Sequence, residues 1–302
     1  MVMSRFESFI RDLSFLLCEI RLTSHLTEEC LKINEYLDTQ NIVIDTKDIK
    51  FETQSIINLC NYLILEFRDI PKEIKVSLKN ISVYYGAILR SEYRDNINGL
   101  YVIIDPEFTN DRDPMIIAKA AINGGASVLQ LRDKKSDKGN ILELAHCLND
   151  LCLSNGVELI INDHADIAFA VKCFGLHVGQ TDLSVEASRD VLSPHQHIGR
   201  SNREFDQLEN SQKLDIDHLA FGPVFGTSTK AIIREPQGIE RLKEAYGIAN
   251  LPLVAIGGIN QENISSVAAI GIKSICVTSA VGTANDPERA CSELVKAMKL
   301  EN

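Results

Sequence analysis

The sequence predicts an α/β protein, a (β/α)8 TIM barrel preceded by a small all-α N-terminal domain. Three observations lead there. The periodicity changes near residue 98, eight short β-rich runs follow at even spacing, and amphipathic helical stretches separate them.

Residues 1–97 contain a single glycine, Gly86, and their apolar spacing is helical. In SRFESFIRDLSFLLCEI, Ser4 and Glu7 fit a capping box, and Phe6, Phe9, Ile10, Leu13, Leu17 and Ile20 recur at helical intervals. This predicts a helix over residues 5–22. Further stripes cover 27–39, 47–69 and 72–94, the last opened by Pro71, which suits a first-turn position. The segment reads as a module of about four helices without a chemical motif. Packing or oligomerisation is the role expected of it, and a ligand-binding regulatory role is the alternative.

From residue 98 onward the β-rich runs are LYVIID (100–105), VLQLR (128–132), LIIND (159–163), LHVG (176–179), HIGRS (197–201), HLAFG (218–222), LPLVAIGG (251–258) and SICVTSA (274–280). Helical stretches such as NILELAHCLNDLCLSNG and QENISSVAAIG lie between them, several closed by a C-capping glycine. Eight βα units in about 200 residues match a barrel near the lower end of its size range. A doubly wound open sheet is the runner-up, but it rarely needs eight consecutive units so evenly spaced.

Composition narrows the function classes. The 302 residues are 45% hydrophobic, enough for a sizeable core. Arg5, Glu7, Arg11 and Asp12 interrupt the N-terminus, and no run approaches 18 apolar residues, so a cytoplasmic protein is expected. The net charge of −11, with no basic run, argues against nucleic acid and anionic membrane as partners. Eight cysteines are scattered without metal-ligand or C-x-x-C spacing and read as reduced, packed thiols.

Barrels of this class carry their sites at the C-terminal ends of the strands. In this chain those ends are polar although the strand bodies are apolar. They supply Asp105; Gln130, Arg132 and Lys134; Asn162 and Asp163; Gln180 and Asp182; Ser201; Thr227, Thr229 and Lys230; Gly257 and Gly258; and Thr278 and Ser279. Asp163 and Asp182, from neighbouring strands and without a thiolate or histidine cluster, suit Mg²⁺, a hard cation that takes oxygen ligands. Arg132, Lys134 and Lys230 offer positive charge to phosphate oxygens. Gly257–Gly258 and Thr278–Ser279 follow strands seven and eight, where such barrels often hold phosphate on backbone N–H groups. Two anionic subsites are therefore expected. Strand parity sends Leu129 and Leu131 toward the helices and Gln130 and Arg132 toward the interior.

QLRDK, IINDHADIA, GLHVGQTDL, GPVFGTSTK, VAIGGI and VTSAV stand in an order and spacing that resembles the thiamine phosphate synthase (thiamine-phosphate pyrophosphorylase) family over residues 98–300. The resemblance implies coupling of a hydroxymethylpyrimidine diphosphate with a thiazole phosphate, Mg²⁺ as cofactor, and pyrophosphate as the second product. Carried over by motif, Gln130, Arg132, Lys134, Asn162, Ser201 and Lys230 contact the pyrimidine diphosphate, and Asp163 and Asp182 hold Mg²⁺. Thr227, Thr229, Gly258, Thr278 and Ser279 bind the thiazole phosphate. Arg132, Lys134, Ser201 and Lys230 are the catalytic set, since the chemistry needs leaving-group stabilisation rather than a nucleophile. His164, the one histidine at a strand end, reads as a helix-start residue.

Two positions depart from the family pattern. Arg203 stands where a Ser-x-His motif has histidine, and Gly226 where proline is common. A related thiazole tautomerase would use that histidine for proton transfer, so Arg203 argues against it. The other rival is a non-catalytic phosphate-ligand sensor of the thiamine pathway, which loss of the metal ligands would have favoured. The small-molecule substrates are the partners expected, with a homo-oligomer formed through the N-terminal helices.

Overall fold

The computed structural model describes residues 28, 29, 32, 33, 35, 36, 53–66, 71–226 and 235–299. The chain divides into two compact units, Met1–Glu92 and Tyr93–Asn302. The helix expected over 5–22 lies outside the described residues. In the first unit, helices Thr53–Glu66 and Lys72–Glu92 pack through Ile56, Ile57, Cys60 and Leu63 on one and Ile74, Leu78, Ile81 and Tyr85 on the other. These residues recur at three- and four-residue intervals, so each helix buries one stripe. Pro71 precedes the second helix rather than occupying its first turn. Its carbonyl accepts from Ile74 N at 3.1 Å and Lys75 N at 3.2 Å, which starts the helix.

The second unit is a closed parallel barrel in sequence order, β1 Gly99–Ile104, β2 Val128–Leu131, β3 Glu158–Asn162, β4 Gly175–Val178, β5 His197–Asn202, β6 His218–Phe221, β7 Leu253–Ile256 and β8 Ser274–Val277. The strand order rules out the open-sheet runner-up, because β8 pairs with β1 through Gly99↔Ser274 to Val102↔Val277.

Local chemistry sets the crossovers. Asp113 caps the helix Pro114–Asn123 by accepting from Met115 N at 2.8 Å, with Pro114 at the first position. Asp137 does the same for Lys138–Asn155 through Asn140 N at 3.0 Å, and Gly156, at φ 64°, ends that helix in the left-handed region.

Alternation along the strands divides the core in two. Leu100, Val102, Leu129, Leu131, Leu159 and Ile161 face the helices, while Tyr101, Ile103, Val128, Ile160, Ala220, Val254 and Cys276 fill the inside. At the N-terminal end Phe174 stacks on His197, with ring centroids 4.1 Å apart. All described cysteines are free thiols and all but Cys147 are buried, burial pushing Cys60, Cys152 and Cys173 up to about 12. Among the described residues no helix is long and apolar enough to cross a membrane.

One glycine is required inside the barrel. On β5, Gly199 pairs with His177 of β4 on one side and His218 of β6 on the other. A Cβ there would overlap the His218 ring at Nε2 and Cε1 and come within 2.7 Å of His177 Nδ1. Gly199→Ala is therefore expected to destabilise the barrel by about 1–3 kcal/mol through overpacking. A urea-denaturation midpoint unchanged from that of the unmodified protein would contradict this.

Candidate active site at the C-terminal mouth of the barrel

The β2 exit is built first by parity and then by ion pairing. Gln130 faces inward and donates from Nε2 to Tyr101 OH at 2.6 Å, both side chains being buried. Burial pushes the Tyr101 phenol well above its usual range, so it stays protonated. Arg132 pairs through Nη1 with Asp105 Oδ2 at the end of β1. Asp105 is 2% exposed, and its other oxygen accepts from Glu107 N at 3.0 Å, capping the turn Pro106–Phe108. One carboxylate thus fixes both the guanidinium and the loop after β1.

Asp133 shapes the next step of the chain. Its Oδ1 accepts from Lys135 N at 2.9 Å and Ser136 N at 3.0 Å, forming a tight turn. Burial works against its ionisation, but the hydrogen bonds from Ser136 and Lys135 prevail and hold its carboxyl below the usual range. Beside it, Lys134 reaches Asp163 Oδ2 at 2.9 Å, and Lys135 reaches Glu107 at 2.5 Å.

Asp163 has φ 63°, a left-handed conformation uncommon for a residue with a side chain. Its N–H donates to the His177 carbonyl at 2.9 Å, so the β3–β4 ladder holds the strained residue in place. Asp182, after β4, is exposed, and its Oδ2 accepts from Gly179 N at 2.8 Å. Gln180 donates from Nε2 to the Ser201 carbonyl at 2.7 Å, and the Ser201 hydroxyl shares a 2.8 Å hydrogen bond with His177 Nε2.

Gln130, Arg132, Asn162 and Ser201 line one cavity of about 410 Å³, counting its open mouth. Tyr101, His177, His218 and Cys276 line it as well. These four were not singled out from the sequence, because only strand ends were considered there and they lie within strands. Inward parity beside Gln130 is the signal that would have found them. Lys134 and Asp163 join at their ion pair. Gly258, Thr278 and Ser279 are not in the cavity lining. Gly257 and Gly258, at φ 106° and 68°, pack against the segment after β6, where Phe225 N donates to Gly257 O at 2.9 Å. Thr278 caps the short helix Ser279–Gly282, its carbonyl accepting from Gly282 N at 2.8 Å. Thr227, Thr229 and Lys230 lie outside the described residues.

His164 is the N-cap of the helix Ala165–Val171, a helix-start residue as expected. Arg203 is held by Glu204 Oε1 at 3.2 Å and donates to the Glu235 carbonyl at 3.3 Å. Among the described residues nothing lies within 4 Å of where a Cβ on Gly226 would be.

Among the described residues no three or more of His, Cys, Asp and Glu form a metal-binding group. Asp163 follows β3 and Asp182 follows β4, two strands that pair with each other. An all-oxygen pair fits a hard divalent cation whose other ligands are waters and substrate oxygens. The cavity lining offers hydrogen-bonding groups from Gln130, Asn162 and Ser201 and a positive charge from Arg132.

The sequence model of a family described as "Thiamine monophosphate synthase" matches residues 100–281. A thiamine-phosphate synthase of Shouchella clausii is 37% identical over 200 residues, covering 66% of this chain and 96% of that one. One of Laribacter hongkongensis is 38% identical over 196 residues, 65% of this chain and 92% of that one. Among solved structures, a thiamine phosphate pyrophosphorylase from Pyrococcus furiosus superposes with a TM-score of 0.63 at 29% identity, over 69% of this chain and 98% of that one.

Replacing Asp105 by alanine strands a partly buried guanidinium and uncaps the turn after β1. A loss on the order of 3 kcal/mol is expected, with a smaller loss for Asp105→Asn, which can still accept from Glu107 N. Equal denaturation midpoints for the alanine and asparagine variants would contradict this assignment.

Proposed function

Because the chain belongs to the thiamine monophosphate synthase family, we propose that its barrel couples 4-amino-5-hydroxymethyl-2-methylpyrimidine diphosphate with a carboxythiazole or hydroxyethylthiazole phosphate, giving thiamine phosphate and pyrophosphate, with carbon dioxide released as well when the thiazole carries the carboxyl group. The observation that carries this reading is the cavity itself, where Gln130, Arg132, Asn162 and Ser201 converge, with the Lys134–Asp163 pair following the same strands β2 and β3.

In this reading the pyrimidine ring enters the cavity, where Gln130, Asn162 and Ser201 offer it hydrogen bonds. Arg132 and Lys134 meet the diphosphate at the rim, and Lys230 is the third cation proposed to contact it. The C–O bond to the leaving pyrophosphate breaks with its electron pair going to oxygen, and the thiazole nitrogen donates its lone pair to the exposed methylene carbon. No protein nucleophile is needed, so the residues act by orienting the two substrates and by stabilising charge on the leaving group. Mg²⁺ bound by Asp163 and Asp182 would supply further neutralisation of the pyrophosphate oxygens. Thr227, Thr229, Gly258, Thr278 and Ser279 are the proposed contacts of the thiazole phosphate. Pairing Arg132 with buried Asp105 supports the positioning role, since the guanidinium is held before substrate arrives.

Residues 1–92 are proposed to serve assembly into a homo-oligomer rather than chemistry. The length of the relatives supports this, because 200 residues of this chain account for 96% of the Shouchella clausii synthase. Small molecules are the proposed partners, and the free thiols support a cytoplasmic setting.

Incubation with both substrates and Mg²⁺ is expected to yield thiamine phosphate and pyrophosphate, and binding of either substrate without product would overturn the synthase reading. Arg132→Ala should raise KM for the pyrimidine diphosphate about 10- to 100-fold, the loss of a charge-assisted hydrogen bond, and leave KM for the thiazole phosphate nearly unchanged. Asp163→Asn and Asp182→Asn should each raise the Mg²⁺ concentration needed for half-maximal rate. A chain lacking residues 1–92 should keep most of its kcat but elute smaller in sizing experiments. Severe loss of kcat from a folded barrel would place those residues in the site.

A further inference from the structure

His177, Gly199 and His218 form one row across β4, β5 and β6, held by the pairings His177↔Gly199 and Gly199↔His218. The middle member has no side chain, and the two imidazoles lean over it with centroids 5.6 Å apart and planes tilted by 30°. Their facing edges fill the place of the missing side chain, because a Cβ on Gly199 would overlap His218 and approach His177 Nδ1. On its far side His177 Nε2 bonds the Ser201 hydroxyl at 2.8 Å, at the wall of the cavity. We infer that His218 is a positioning residue, whose ring backs His177 across Gly199 and so fixes the orientation in which His177 holds Ser201.

Nothing else assigns His218 a task. It is 0% exposed, lying deep in the lining of the cavity. Among the described residues neither ring nitrogen has a hydrogen-bond partner. Burial pushes its pKa down to about 4, against the pull of neighbouring Asp217, so the ring is neutral near pH 7. A neutral, deeply buried ring of this kind acts by shape. Shape matters here because His177 can turn about its side-chain bonds unless packing stops it, and a turned ring takes Nε2 away from Ser201.

The inference rests on the reading that Ser201 contacts the pyrimidine diphosphate, and the experiment separates the two. His218→Ala should raise KM for the pyrimidine diphosphate about tenfold, the middle of the range for side chains in contact, with KM for the thiazole phosphate unchanged. His218→Phe, which keeps a ring over Gly199, should restore KM to within about twofold. In a His177→Ala background His218→Ala should add little, because the ring it supports is gone. Equal effects of His218→Ala in both backgrounds would mean that it acts by general stability alone and would overturn the inference. The ring ¹⁵N signals of His177, recorded without substrate, should shift in His218→Ala and stay near their usual place in His218→Phe. Unshifted signals in His218→Ala overturn the inference whatever the kinetics. If those signals shift while Ser201→Ala leaves the KM for the pyrimidine diphosphate unchanged, the positioning stands and the role of Ser201 fails.

Discussion

Once β8 hydrogen-bonds to β1, through pairs such as Tyr101 with Cys276, every strand has two neighbours and the sheet has no open edge. Backbone pairing then consumes the polar groups of the chain at the centre of the fold, and side chains alone decide what the interior contains. With alternation fixed by the pleat, half of each strand must face inward. Apolar inward residues such as Val128, Ile160 and Val254 fill the body of the barrel. Polar ones, Gln130, Asn162, His177 and Ser201, gather in the cavity open at one end. The site is thus a consequence of closure and not an addition to it.

Charge follows the same geometry. A chain of net charge −11 that handles an anion must concentrate its cations, and Arg132, Lys134 and Lys135 leave β2 together. Each is paired with a carboxylate, Asp105, Asp163 and Glu107 respectively. The exposed pair at Lys135 contributes little to stability, whereas the Asp105–Arg132 pair, nearly closed off from water, decides where a guanidinium points. The acidic residues hold these cations in place, and Asp163 combines that task with a left-handed backbone at the end of β3.

The interior histidines show a second use of closure. His177 and His218 meet only because the strand between them carries glycine at the shared register position. Burial penalises the charged form of an imidazole, and His218 is accordingly pushed toward its neutral form. Its place directly behind His177 gives it a mechanical reason to be there.

Much was legible in the chain itself. Eight β-rich runs separated by capped helices fixed the architecture, and their boundaries fell within a few residues of the strands, as LYVIID did against Gly99–Ile104. Parity placed Gln130 inside and Leu129 outside, and the polar strand ends located the mouth. These follow from local rules, since spacing, capping and alternation involve residues close in sequence. The tertiary structure alone decided which side chains meet: Arg132 with Asp105, Lys134 with Asp163, and His177 with Ser201. It also brought His177 and His218, read past in the sequence as mid-strand residues, to the cavity. Such partners lie more than twenty residues apart, and their meeting depends on the register and stagger of a closed sheet, which no local preference sets.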